Sequence, residues 1–375
     1  MTDKGGNYYR GRASIPSGNE GARVVSPRSP ASGSGQAASV SRRGFVLSLL
    51  GLGASVAALG AGTATWVFAK DVNESMNKAF DLDGIPDRPD KVVEGAMNIL
   101  ILGTDARDED QDGRSDSSML MHVDAAGENA YVISIPRDLW VHIPHNEHAT
   151  HSDTMAKFNA AYAWGGAALS IQTLEAYTGV RVDHVVEINF PGLVKVVDAL
   201  DGVDMYIEKT ITSIHPPRRT FEQGWNRLNG EEALDYIRQR YQFSDGDYTR
   251  MRNQQQLITA ILDRAASAGV LRSQSTVTEF VESTAGALSV DTQFNAVGTA
   301  LAFMHLRSDD IQFMTSPNLG TGYEGGESVI YSDDALAEDL FAHVRDDQVD
   351  QWVANNPDAL NEPTSGEGED SEEGE

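Results

Sequence analysis

From Phe45 to Ala69 the chain runs for 25 residues without a charge. A bilayer core offers no water to the backbone, so a segment of this length and polarity crosses it as a helix. Arg42 and Arg43 stand just before it, and the 44-residue head holds seven Lys+Arg against two acids. By the positive-inside rule the N-terminus is cytoplasmic and the body lies outside. Trp66 stands where an interfacial aromatic anchor is expected. SRRGFVL resembles a twin-arginine export signal. The apolar stretch is long for a cleaved leader, however, and no small-x-small site precedes Lys70. The expectation is a single-pass anchor in the cell membrane, followed by an extracytoplasmic domain.

Charge is unevenly spread. Residues 1–70 hold 8 Lys+Arg and 2 Asp+Glu, whereas the other 305 hold 21 and 54, a net −33 against a whole-chain −27. So acidic a body disfavours nucleic acid, and a polyanionic substrate would need local cationic relief. With no cysteine, disulfides, thiol catalysis and thiolate metal sites are excluded.

The pattern divides the chain into a disordered cytoplasmic tail (1–44), the membrane helix (45–69), a linker (70–95), a folded body (96–348) and a disordered acidic tail (349–375). The last ten residues, GEGEDSEEGE, carry six acids. Within the body, MNILILG (97–103), SMLMHVD (118–124), AYVISIP (130–136), HVVEINF (184–190), VDMYIE (203–208) and IQFMTSP (311–317) read as strands. Residues 153–178 read as two helices split by Gly165-Gly166 and capped by Asp153. Helices are also expected over 191–200, opened by Pro191, over 230–240, 247–268 and 333–344. Strands alternating with helices predict an α/β fold, a central mixed sheet flanked by helices in an α-β-α layered domain.

Four polar clusters fall at the ends of these elements, where α/β proteins place their sites. In GTDAR, Asp105 is either a metal ligand or a turn cap. In RSDSSML, Arg114 and Asp116 are either a phosphate donor and a metal ligand or a surface ion pair. In SIPRDLW, Arg137 and Asp138 follow the strand on a loop. The fourth cluster, YIRQRYQFSDGDYTRMRNQQQL (236–257), packs Arg238, Arg240, Arg250 and Arg252 into fifteen residues. Arg238 and Arg240 converge only if the chain leaves helical geometry there. Asp247 is placed to cap the next helix, and Arg250 and Gln254 share one of its faces. Glutamines 254–256 stand where acids at helical spacing would pair the arginines, so the guanidiniums read as phosphate donors. Together, Asp105 and Asp116 would hold a divalent cation, Mg²⁺ with Mn²⁺ as the alternative, and the arginines would neutralise the remaining phosphate charge. His142, His145, His148 and His151, each three apart, read as a polar surface loop rather than a metal site.

In order, NILILGTDAR, RSDSSML, YVISIPRDLW, KFNAAYAWGG, TGVRVDHVVEINFPGLVKVVDALDGVDM and YIRQRY…GDYTRMRNQQQ resemble the LytR–CpsA–Psr family, in the manner of its actinobacterial members. The resemblance covers about residues 96–345. It implies a membrane-anchored phosphotransferase that moves a glycopolymer from an undecaprenyl-pyrophosphate carrier to a peptidoglycan hydroxyl with Mg²⁺. By position it makes Asp105 and Asp116 the metal-site aspartates, and it sets Arg114 and Arg137 on the pyrophosphate. Arg238 and Arg240 become the R-x-R grip, and Asp247, Arg250 and Gln254 the D-x-x-R-x-x-x-Q that follows. The implied catalytic set is Arg137, Arg238, Arg240, Asp247 and Arg250. The family carries Arg immediately before that Gln; here it is Asn253. The polyprenyl tail would lie between sheet and helices, with the apolar runs of 184–207 as walls. Transfer to a surface protein and hydrolysis of the lipid pyrophosphate are the alternative chemistries. A DNA-binding regulator is disfavoured by the acidic, extracytoplasmic body.

Overall fold

Side chains alternating with a period of two, covered on both faces, organise the centre of the molecule. The computed structural model describes residues 76–105, 115–243 and 246–361. The segment 45–69, its flanking head, Arg114 and the acidic run 366–375 lie outside the described residues. Among the described residues, no helix is long and apolar enough to cross a membrane.

Strands β1 (Asn77–Phe80), β2 (Met97–Thr104), β3 (Ser115–Val123) and β4 (Ala130–Ile135) come first, followed by the hairpin β5 (Trp140–Ile143) and β6 (Thr154–Lys157). Helix α1 (Phe158–Thr178), β7 (His184–Asn189) and α2 (Phe190–Ala199) come next, then β8 (Val203–Ile207), β9 (Ile211–Thr212), β10 (Thr220–Phe221) and β11 (Gly224–Leu228). Helices α3 (Gly230–Ile237), α4 (Asp247–Ser267) and α5 (Gln274–Thr284) precede β12 (Leu288–Asp291), α6 (Ala296–Phe303) and β13 (Ile311–Thr315). The hairpin β14 (Asn318–Glu324) and β15 (Glu327–Ser332) leads to α7 (Asp334–Arg345) and α8 (Val349–Asn355).

The main sheet has the order β1-β12-β7-β2-β3-β4-β13. It is mixed: β7 lies parallel to β2 and β13 to β4, while β3 is antiparallel to both its neighbours. Leu100, Leu102, Leu120 and Ile133 face α1, α7 and α8 on one side. Ile101, Met119, Met121 and Val132 share the opposite cluster with Ile258 and Leu262 of α4 and Phe303 of α6. Helices therefore cover both faces, as the alternation predicts. A further cluster joins α2, α3, β8 and β11, with Leu257 of α4 reaching into it.

Three expectations are corrected. Residues 153–178 do not open at Asp153, which adopts φ 54 before β6; α1 starts at Phe158 behind Lys157, with no side-chain cap. The Gly165-Gly166 break is real: both glycines leave helical geometry, Gly166 at φ 64.

The presumed linker 70–95 contributes β1 to the sheet edge, parallel to β12. It is also tied down by the Arg88–Glu175 ion pair at 2.6 Å. The tail expected from 349 packs as far as Asn361. Trp352 is 1% exposed, and its indole N–H donates to Asp339 at 3.0 Å. In the turn before α8, Asp347 bonds the buried ring of His122 at 3.0 Å and the Ala125 amide at 3.1 Å. Both segments have too few apolar residues for periodicity to reveal them; scattered anchors hold them, among them Leu82 and Ile85 in the first and Val349 and Trp352 in the second.

Replacing Trp352 with Ala empties a fully enclosed aromatic site, so stability should fall by about 3–5 kcal/mol. Denaturant unfolding of the variant checks this, and truncation after Gln348 should destabilise the domain at least as much.

Candidate functional site

The carboxyl ends of β2, β4 and β7 and the start of β3 meet at one end of the sheet, the place where α/β sheets open a crevice. Helix α2 starts there because Asn189 caps it, accepting the Gly192 amide at 2.8 Å, and Pro191 suits the first turn. The helices α2, α3 and α4 do not close fully onto the sheet. Between them lies a cavity of about 290 Å³. Its interior is apolar: Ile101 and Met119 from the sheet, Leu193 from α2, Leu257 and Ile258 from α4. Polar side chains enter the lining from four segments: Asp116 (β3), Arg137 (after β4), Arg238 and Arg240 (after α3), and Arg250 and Gln254 (α4).

The R-x-R pair converges because α3 ends at Ile237, under a capping box formed by Asn229 and Glu232 at its other end. Past the helix, Arg238 and Arg240 both reach the cavity, while Gln239 between them is fully buried. The Arg238 guanidinium lies over the Phe190 ring, 4.5 Å from its centroid. Arg137 Nη1 donates to Asp116 Oδ1 at 3.1 Å, so one cation and one carboxylate of the site are already paired.

Helix α4 begins behind Gly246, which gives no side-chain cap. Asp247 is thus the first helical residue rather than the cap expected of it; its side chain lies outside the described atoms. Arg250, 5% exposed, and Gln254 line the cavity one turn apart. The neighbouring glutamines do other work. Gln255 donates to Ser134 Oγ at 2.8 Å and docks α4 on β4; Gln256 donates to the Tyr206 carbonyl at 3.2 Å and docks it on β8. Arg252 turns to Thr249, at 3.0 Å. Asn253 is buried outside the cavity lining, and its Nδ2 finds no hydrogen-bond partner.

Asp105 directly follows β2, beside the start of β3, but does not line the cavity. Near it on the α1 face, burial pushes the Glu187 carboxyl above its ordinary range, against hydrogen bonds from Tyr162 and Thr104. Burial raises the Tyr162 phenol too, with the Glu187 charge adding to it. Among the described residues no group of three or more His, Asp or Glu could hold a metal ion. The histidine tract is divided: His142 sits on β5 facing Asp153 at 3.2 Å, and the His151 ring packs 5.3 Å from Trp164.

Tyr241 and His215, which the sequence reading did not single out, also line the cavity, as does Phe190 from the run 184–207 expected to form its walls. Phe190 stands inside the strand-to-helix motif INFPG and was legible there. His215 sits in a loop whose neighbours only the fold reveals.

The sequence profile of the LytR_cpsA_psr family matches residues 65–343. A polyisoprenyl-teichoic acid–peptidoglycan teichoic acid transferase, TagU of Enterococcus faecalis, is 30% identical over 265 residues, which cover 68% of this chain and 80% of the relative. Among solved structures, protein gbs0355 of Streptococcus agalactiae superposes with a TM-score of 0.59 at 24% identity, over 68% of this chain and 88% of the other. TagV of Bacillus subtilis does so at 0.57 and 25% identity, over 68% and 98%. With its sheet, its helical layers and most of its length matched in this way, the chain belongs to the LytR–CpsA–Psr family.

Proposed function

We propose that the protein transfers a glycopolymer from an undecaprenyl-pyrophosphate carrier to a peptidoglycan hydroxyl outside the membrane. The observation that carries this reading is one cavity with two chemistries. Its interior is lined by aliphatic side chains, and its polar lining supplies four arginines. A polyprenyl tail needs the first and a pyrophosphate the second. The transferase named above is a relative of matching length, which supports the same chemistry.

In this reading Arg238, Arg240 and Arg250 bind the pyrophosphate, Arg137 and Gln254 complete the donors, and Arg114 belongs with them by position. An acceptor hydroxyl attacks the phosphorus attached to the glycan. A new P–O bond forms, and the bond from that phosphorus to the bridging oxygen breaks. Undecaprenyl phosphate leaves with the electron pair, its charge held by the same guanidiniums. The hydroxyl proton passes to a site carboxylate, Asp116 or Asp247.

Asp105 directly follows β2 and Asp116 lies at the start of the neighbouring β3, two carboxylates of the kind that hold an ion whose shell phosphate oxygens and water complete. Asp105 and Asp116 would therefore hold Mg²⁺, or Mn²⁺ in its place. When bound, the ion supplies charge neutralisation at the pyrophosphate. Segment 45–69 would anchor the chain beside its lipid substrate.

Three outcomes test the reading. Arg238→Ala with Arg240→Ala should lower transfer from labelled lipid-linked oligosaccharide to peptidoglycan fragments by at least about 100-fold, at an unchanged melting temperature. Free phosphosugar in place of transfer product would instead mean hydrolysis. EDTA should abolish transfer and Mg²⁺ restore it. Leu193→Trp, which fills the cavity, should weaken geranylgeranyl pyrophosphate binding by about tenfold or more and leave inorganic pyrophosphate binding unchanged.

A further inference from the structure

We propose that His215 is a further phosphate ligand of the cavity, adding an imidazole to the motif arginines and coupling substrate binding to proton uptake. The inference rests on the pyrophosphate reading above and adds to it a residue that no motif contains.

Its position is built. Gln239, the residue between Arg238 and Arg240, turns away from the cavity and is fully buried. Its Nε2 donates to Ser213 Oγ at 2.9 Å and to Asp235 Oδ1 at 2.8 Å, and its Oε1 accepts from the Ile214 amide at 3.3 Å. Ser213 Oγ donates to Asp235 Oδ1 at 2.6 Å and accepts the His215 amide at 2.9 Å. The backbone path that sends two arginines into the cavity thus sends the residue between them into the His215 loop. A buried polar network fixes this loop; within it, among the described residues, Asp235 Oδ2 accepts no hydrogen bond and has only Arg219, at 3.7 Å, near it. It leaves His215 half-buried in the cavity lining, beside Arg238, Arg240 and Tyr241.

The ring has chemistry to spare. Its Nε2 is buried without a hydrogen-bond partner. Burial lowers the imidazole pKa, and the Arg238 guanidinium pushes the same way; the Asp235 charge and a hydrogen bond with the Arg238 backbone oppose them. Arg219, on the same loop, lies 3.7 Å from Asp235 and blunts its effect. Around the cavity stand Arg137, Asp116, Arg240 and Arg250. The net effect of these surroundings favours the neutral imidazole. A pyrophosphate reverses the sign of the local potential and favours the imidazolium, so the ring takes a proton from solvent as the ligand binds. A guanidinium group takes up no proton in this range, so an imidazole alone can supply the response.

The test is calorimetric titration of the full chain in detergent with geranylgeranyl pyrophosphate, at pH 6 and pH 8 and in buffers of different ionisation enthalpy. The ligand's own phosphates titrate in this range, so the contrast between wild type and His215→Gln carries the information. Wild type should take up more protons than His215→Gln. The wild-type gain in affinity from pH 8 to pH 6 should be about fivefold larger. In ¹³C-histidine spectra of the wild type, one resonance should move toward the imidazolium position on ligand addition. That resonance should be missing from His215→Gln and from a second variant, His215→Asn. Equal proton uptake and equal pH dependence in wild type and variant would overturn the role of His215. If Arg238→Ala with Arg240→Ala still weakened binding in that case, the pyrophosphate reading would stand. Binding untouched by the arginine changes would overturn that reading itself.

Discussion

Guanidinium groups that converge on an apolar cavity repel one another and lose part of their hydration. Two such charges 4 Å apart near a protein surface oppose each other by about 4 kcal/mol. The rest of the site can be read as the means by which the fold holds them there. Four arginines arrive from three separate segments: Arg137 after β4, Arg238 and Arg240 after α3, and Arg250 from α4. Neighbouring groups offset part of this: Asp138 lies 3.7 Å from Arg137, and the Tyr241 ring lies under Arg240, 5.8 Å to its centroid. Asp116 accepts from Arg137, and the face of Phe190 receives Arg238. In the proposed reading, a bound pyrophosphate adds to these offsets.

The same stretch of chain both binds and braces. In the run from Arg238 to Gln256, cavity residues alternate with anchors. Arg238, Arg240, Arg250 and Gln254 line the cavity, while Gln239, Gln255 and Gln256 are buried and bond to Ser213, Ser134 and the Tyr206 carbonyl. A glutamine offers both donor and acceptor without a charge, so it can secure an element beside clustered cations without neutralising them. The local excess of glutamine is thus as much a feature of the site as the arginines.

Much of this was legible in the sequence. The strands of the central sheet could be read because their apolar residues alternate or run unbroken. The end of α3 was half legible: the helix was expected to run to 240 and ends at Ile237, although R-x-R converges only if the chain leaves helical geometry there. Three features were not legible. The strand NKAF and the helix VDQWVAN are too short and polar to carry a period; the first is held by pairing with β12 and the second by Trp352, whose indole N–H donates to Asp339. The glutamines after Arg252 read as absent ion-pair partners for the arginines; that Gln255 and Gln256 dock the helix on β4 and β8 depends on contacts that no local pattern encodes. His215 depends on contacts more than twenty residues away in sequence, which no local pattern encodes. Asn253 stands where an arginine was expected. The fold buries it away from the cavity, and Arg252 does not replace it there.

The central claim is that one cavity takes the prenyl chain in its aliphatic interior and the pyrophosphate on its arginines. A crystal structure of the domain with bound geranylgeranyl pyrophosphate tests it most directly. The account predicts the isoprenoid between the sheet and helices α2 and α4, against Leu193 and Ile258, with phosphate oxygens on Arg238 and Arg240. An isoprenoid bound elsewhere, or phosphates held without either arginine, would contradict it.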